Sequence, residues 1–199
     1  MRNLALALAI TVAVVLALLA PMAPGLAPTQ APRLRAIGAV KVTNNPAGLI
    51  TITRAGAIAG YYCMRGMPGS GWSIMLNAYL NNGIIIQDII GSMTPIPLPI
   101  LANYATNIWL IDNTGAHLIH ARLIPIAFTC GWLVIKIVNG TAFIGFSIDG
   151  RHVIWFDNYH VGGSLVETAS IVMGGDGDGR MASVGNGLMV DLALYYWNG

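Results

Sequence analysis

The amino-acid sequence predicts an all-β fold, an antiparallel β-sandwich or jelly roll, on three observations. From residue 33 onward no stretch carries apolar residues at the 3.6-residue spacing of an amphipathic helix. In its place, short β-branched and aromatic runs recur: Leu49–Arg54, Trp72–Leu80, Ile84–Ile90, Ile108–Asp112, Trp132–Val138, Thr141–Ile148, His152–Phe156, Ser170–Met173 and Leu188–Trp197. The breaks between them are turn chemistry, since Asn81-Asn82-Gly83, Asn113-Thr114-Gly115, Asn139-Gly140 and Asp149-Gly150 supply residues that tolerate φ > 0.

Taken in chain order, Met1-Arg2-Asn3 is followed by an uncharged apolar run from Leu4 to Ala20 and then by Pro21-Met22-Ala23-Pro24. That is the layout of a signal peptide, with a basic start, an apolar centre and a small-residue cleavage zone, here taken as residues 1–23. The run also has the length of an uncleaved membrane-anchor helix, about 17–25 residues. Either reading sends the remainder out of the cytosol, as a secreted or cell-surface protein. Residues 24–32 are a Pro- and Ala-rich spacer, and 33–199 are read as one β-sandwich domain.

Two pairs of runs read as hairpins, Trp72–Leu80 with Ile84–Ile90 and Trp132–Val138 with Thr141–Ile148. Period-2 reading of the first places Ser73, Met75, Asn77 and Tyr79 on one face, and Ile74, Leu76, Ala78 and Leu80 on the other. In the return strand Gln87 and Asp88 fall on opposite faces of an Ile-rich run. At least one of them is expected to meet a buried or grooved surface, where a polar group requires a partner.

Composition narrows the partners. Ten Lys and Arg stand against eight Asp and Glu, so nothing here draws nucleic acid or an anionic membrane by charge. Contact with a membrane is expected only through the N-terminal segment, if it is retained. Charged residues make up 9% of the chain, against about 25% in ordinary domains. Such scarcity suits strong acid, where carboxylates are partly neutral, and it suits a surface covered by self-association. Cys63 and Cys130 read either as one disulfide closing a long loop or as two buried thiols.

A water-activating hydrolase needs one group to take a proton and another to polarise the carbonyl. The acids available are Asp88, Asp112, Asp149, Asp157, Asp176, Asp178, Asp191 and Glu167, the sole glutamate. Asp112 and Asp149 adjoin turn sequences and read as turn formers. Asp176 and Asp178 in the Gly174–Gly179 run have the oxygen chemistry of a hard-cation site, but without a bidentate acid at the right distance a tight turn fits better. Asp157 follows an aromatic run and faces a groove or caps a turn. Burial of Asp88 would raise its pKa into the working range of an acid enzyme. The four histidines share no ligand spacing, and no cofactor or metal is expected. Asn139-Gly140-Thr141 is a glycosylation acceptor sequence at a hairpin tip.

Three ordered segments carry a family resemblance: Trp72–Ile90 (WSIMLNAYLNNGIIIQDII), Thr141–Val161 (TAFIGFSIDGRHVIWFDNYHV) and Ser170–Trp197 (SIVMGGDGDGRMASVGNGLMVDLALYYW). Together they resemble the thermopsins, secreted acid peptidases of hot-acid archaea. Gln87 matches the Gln of a W-x-Q-N-V strand, with Asp88 in place of Asn. Gly145, Asp149, Gly150, Asp157 and Asn158 match the second segment. Gly174, Gly175, Gly177, Gly179, Leu192, Leu194, Tyr195 and Tyr196 match the third. The resemblance implies a concanavalin-like jelly roll that cleaves unfolded protein or peptide at low pH without metal. A fainter resemblance, to the eqolisin type of glutamic peptidase, implies that Gln87 and a Glu on a neighbouring strand activate water. The position that aligns with that Glu is Ser170, and Glu167 lies three residues upstream, on the wrong face unless a bulge intervenes.

The catalytic set expected on this reading is Gln87, Asp88, Glu167 and Asp157. The competing expectations are a non-catalytic extracellular binding or surface module, and a filament subunit in which Arg33–Val42 serves as a donor strand.

Overall fold

A computed structural model of the chain describes residues 35–43, 47–65, 72–92, 104–124, 129–175 and 189–197. The N-terminal segment, the spacer, and Asp176 and Asp178 with Gly177 and Gly179 lie outside the described residues. The compact unit Pro32–Gly199 holds two six-stranded antiparallel sheets. In chain order the strands are β1 (Arg35–Thr43), β2 (Ala47–Ala55), β3 (Ala57–Arg65), β4 (Trp72–Leu80), β5 (Ile85–Ser92) and β6 (Tyr104–Asp112). They continue with β7 (Gly115–Ile124), β8 (Cys130–Val138), β9 (Thr141–Ser147), β10 (Ile154–His160), β11 (Val166–Gly175) and β12 (Met189–Trp197). The first sheet runs β1-β12-β3-β8-β9-β10 and the second β2-β11-β4-β5-β6-β7. The expected antiparallel sandwich is therefore what the chain forms.

Alternation along each strand supplies the core. Ile74, Leu76 and Ala78 of β4, Ile86 and Ile90 of β5, and Ala169, Ile171 and Met173 of β11 face Ile58 and Tyr62 of β3 and Leu133, Ile135 and Ile144 of β8 and β9. Each such Ile, Leu or Met side chain contributes about 1.5–3 kcal/mol on burial. Gly60 lets the sheets approach, because a Cβ there would lie 2.6 Å from Ile171 Cδ1 of the opposing sheet. Both hairpins form as read, and the tip at Asn139 (φ 50°) and Gly140 (φ 74°) places two residues in the left-handed region, as a tight two-residue turn requires.

Cys63 and Cys130 face each other across β3 and β8 and are joined by a disulfide that spans 67 residues of sequence. Closing a loop of that length restricts the unfolded chain by about 4 kcal/mol in the entropic picture.

Three strands escape the sequence reading. In β3 burial covers both faces of AIAGYYCMR, so no alternation is left to detect. β7 is an edge strand whose apolar and polar residues do not alternate, a bulge at Ile108/Trp109 interrupting its register, and β1, instead of serving as a donor, pairs with β12 of its own chain. The tenth strand begins at Ile154 and extends to His160, which puts Asp157 within a strand and not at a turn.

Candidate functional site

Strand register assembles one row of side chains across the second sheet, on the face turned away from the core. Ile50 of β2 pairs with Ser170 of β11, and Ser170 in turn pairs with Asn77 of β4. Asn77 pairs with Gln87 of β5, Gln87 with Trp109 of β6, and Trp109 with Leu118 of β7. Three of these form a hydrogen-bonded ladder. Gln87 Nε2 donates to Asn77 Oδ1 at 2.8 Å, and Asn77 Nδ2 donates to Ser170 Oγ at 2.9 Å. Asn77 and Ser170 are only 6% and 3% exposed, whereas Gln87 is half-buried and presents its end of the ladder to solvent. The ladder is amide, amide and hydroxyl, with no ionisable group in it.

Glu167 does not join this row. A register shift between Val166 and Thr168 makes it the extra residue of a β-bulge, and it is exposed. The bulge foreseen as the condition for Glu167 to serve does exist, but the carboxylate sits three positions from Ser170, about 10 Å along the strand.

Asp88 lies on the opposite face, fully buried between Leu76 and Ile108, and neither carboxylate oxygen has a hydrogen-bond partner. The partner expected for a polar group in this strand is therefore found for Gln87 and missing for Asp88. Burial raises the Asp88 pKa to about 8, so the carboxyl is neutral in acid. Adjacent in sequence, Gln87 and Asp88 stand back to back and cannot act on one reacting atom.

Asp157 belongs to a third place. A bulge in β10 between Trp155 and Asp157 and one in β7 opposite Ile108 and Trp109 turn Asp157 and His120 toward each other. His120 Nδ1 lies 3.2 Å from Asp157 Oδ2, and Tyr159 Oη donates to the same oxygen at 3.1 Å. The pair clips the edge of the first sheet to the edge of the second, beside a crevice lined by Ile86, Ile108, Ile119 and Ile144 that is too narrow to admit water. Asp112 and Asp149 are turn formers as expected, accepting from Thr114 and from the Arg151 and His152 backbones.

The structure thus separates the expected catalytic set into three places, with Gln87 on the outer row, Asp88 in the core and Asp157 at the sheet edges, while Glu167 stands at the margin of the outer face. Sequence reasoning missed the Asn77 relay, the Trp109 neighbour and the His120 clip. Asn77 carried a signal, as an amide in an apolar strand on the same face as Gln87's neighbours. The His120 clip carried none, because two bulges create it. Among the described residues no three His, Cys, Asp or Glu side chains are grouped to hold a metal.

No family model matches the sequence, and no curated protein matches it. Among solved structures, the chain is similar to the CBM2 module of the evolved Dit of Lactobacillus casei BL23 phage J-1, at 11% identity and a TM-score of 0.49. That match covers 72% of this chain and 62% of the module's chain, so this chain spans less than two thirds of it. A functionally unknown Saccharomyces cerevisiae protein is similar at 14% identity and a TM-score of 0.48, covering 76% and 74% of the two chains. A glycoside hydrolase family 16 endo-glucanase from Bacteroides ovatus is similar at 9% identity and a TM-score of 0.48, covering 72% and 68%. Likenesses this distant carry no argument, and the architecture rests on the strand pairing itself.

Proposed function

We propose that this chain is a non-catalytic β-sandwich binding module, working outside the cytoplasm, which holds an uncharged hydroxyl-rich polymer such as a polysaccharide on the outer row of the second sheet. One observation carries the reading. At the position where the eqolisin resemblance needs a carboxylate, Ser170 accepts a hydrogen bond from Asn77 and completes a neutral ladder. Amides and hydroxyls orient a neutral ligand but do not take a proton from water at low pH, whereas Gln87 beside Trp109 offers a hydrogen-bonding head next to an apolar ring. The disulfide and the N-terminal segment support an extracytoplasmic setting.

A thermopsin-like acid endopeptidase is the second reading, and the bulge at Glu167 favours it, because a local shift there would bring the Glu167 carboxylate toward the outer row. One experiment separates the two. Pro32–Gly199 is incubated with an unfolded protein from about pH 2 to 7 at elevated temperature, and in parallel with insoluble polysaccharides. The expected result is retention on a polysaccharide, lost in Gln87→Ala and Trp109→Ala, without cleavage. Cleavage confined to acid and lost in Gln87→Ala and Glu167→Gln, by the 10²–10⁴-fold or so typical of a proton-transfer group, overturns the binding reading. Asp88→Asn and Asp157→Asn complete the expected catalytic set as controls.

A further inference from the structure

We propose that Asn139 is a glycosylation site, carrying an N-linked oligosaccharide on its side-chain nitrogen at the tip of the β8–β9 hairpin. This assignment rests on the extracytoplasmic setting of the proposed function, because N-linked sugars belong to exported chains. Of all the asparagines in the sequence, only Asn139 is followed two places on by a serine or threonine, Thr141, with Gly140 between them. A tripeptide of this kind carries weight only on an exposed turn whose side chains are unengaged. The structure provides one.

The β4–β5 and β8–β9 tips both contain Asn-Gly, and they differ in what their side chains do. At the β4–β5 tip Asn82 Nδ2 donates to the Val161 carbonyl at 2.8 Å, and Asn82 Oδ1 accepts from the Ile84 N–H at 3.3 Å. Its neighbour Asn81 donates to Ser164 Oγ at 2.9 Å and accepts from the Ser164 N–H at 3.0 Å. Both carboxamides hold the fold. At the β8–β9 tip backbone groups do so instead, the Val161 and Gly162 N–H groups donating to the Gly140 carbonyl at 2.8 and 2.9 Å. Asn139 is exposed, and neither its carboxamide nor the Thr141 hydroxyl makes a hydrogen bond to a described residue. Turn geometry accounts for Asn139 at φ 50° and Gly140 at φ 74°. It requires no hydroxyl at the next position, which Ile84 occupies after the other Asn-Gly pair.

The donor is a lipid-phosphate-linked oligosaccharide, and the cell's own transferase supplies the catalysis. Asn139 Nδ2 attacks C1 of the first sugar; the N–C bond forms as the C1–O bond to phosphate breaks, Nδ2 loses one proton to a base of the transferase, and the lipid phosphate leaves. The tip adjoins the end of β10, the outermost strand of the first sheet, since a Cβ at Gly140 would lie 3.2 Å from His160 Cε1. A sugar at this place adds bulk beside an edge whose backbone is open to pairing by another chain.

The test produces the full chain in cells whose secretory pathway adds N-linked sugars and, in a second arm, Pro32–Gly199 behind a signal peptide of the host, this unit holding both sheets and the whole core. Secreted protein is digested and its peptides are weighed by mass spectrometry. The peptide containing Asn139 is expected to carry a sugar mass that enzymatic cleavage of the sugar–asparagine bond removes. Asn139→Gln and Thr141→Ala should each abolish it, whereas Thr141→Ser, which keeps the hydroxyl, should retain it. Thr141→Ala leaves the Asn-Gly turn in place, so loss of the sugar there reports the acceptor sequence and not the fold, and circular dichroism checks this. Sugar on Asn139 in the second arm alone would fault the export reading of the native N-terminus and uphold the site. Secreted protein with Asn139 unmodified in both arms, while a resident glycoprotein of the same cells is modified, would overturn the proposal, as would a sugar that survives Thr141→Ala.

Discussion

Gln87 and Asp88 are consecutive in β5 and meet opposite surroundings. On the outer face Gln87 finds Asn77 at 2.8 Å, and the polar groups there are hydrogen-bonded and uncharged. On the inner face Asp88 is sealed among hydrocarbon with both oxygens unpartnered. A strand places neighbouring side chains on opposite faces, so one residue of sequence is the whole distance between a satisfied polar ladder and an orphaned carboxyl. Proton concentration therefore bears on the two faces differently: the outer row has nothing to titrate, and among the described residues the inner face holds Asp88, whose carboxyl titrates far from its ordinary range.

Breaking this contrast at Asp88 gives the largest effect. The folded protein holds the Asp88 proton up to about pH 8, whereas the unfolded chain releases it near 3.8. Between those values the folded state binds the extra proton, so stability is full in acid and falls as pH rises, by about 1.4 kcal/mol per unit. The loss is of the order of 5 kcal/mol across the window, comparable to the whole stability of many domains. Denaturant unfolding at pH 4, 6 and 8 should show this decline in wild type and a nearly level profile in Asp88→Asn, with the variant the more stable protein at pH 8. A level wild-type profile would mean that the carboxyl finds a partner or water.

On the outer face, Asn77→Ala is the test of next size. It removes the donor to Ser170 and the acceptor from Gln87 together, at a position only 6% exposed, which should cost about 2–3 kcal/mol. The loss should be the same at pH 4 and pH 8, since neither partner ionises. A loss that varied with pH would place a titrating group in the row and weaken the reading of a neutral binding site.

The contrast itself was partly legible. Period 2 assigned Gln87 and Asp88 to opposite faces, and the Asn-Gly turns fixed both hairpins and hence the register of Asn77 against Gln87. What sequence could not supply was non-local pairing. Ser170 joins the row through β11, 93 residues from Asn77 along the chain, and no local pattern encodes that neighbour. The resemblance places its acid on a strand neighbouring that of Gln87, whereas the aligned position, Ser170, stands one strand further away, beside Gln87's partner Asn77. The aromatic run reads as ending at Phe156, with Asp157 facing a groove or capping a turn, because a bulge and an exposed edge interrupt the alternation of β10, and the meeting of Asp157 with His120 needs both sheets to exist first. In β3 the same period-2 signal vanished because Ala57, Ile58 and Ala59 are all buried.

The smallest effect sharpens the comparison most, because it changes the neighbour of Asp88 without touching Asp88. Gln87→Ala removes one neutral hydrogen bond from a half-buried position and leaves Asn77 still donating to Ser170, a loss of about 1 kcal/mol. The substitution lies on the outer face, so the decline of stability between pH 4 and pH 8 should keep its slope and shift down as a whole. Polysaccharide retention, by contrast, should be lost, because Gln87 is the half-buried end of an otherwise buried ladder. A parallel shift of the pH profile with loss of retention separates what the two faces do. A changed slope would show that strain at the ladder reaches the core carboxyl through the β5 backbone, and the two faces would then have to be treated as one coupled site.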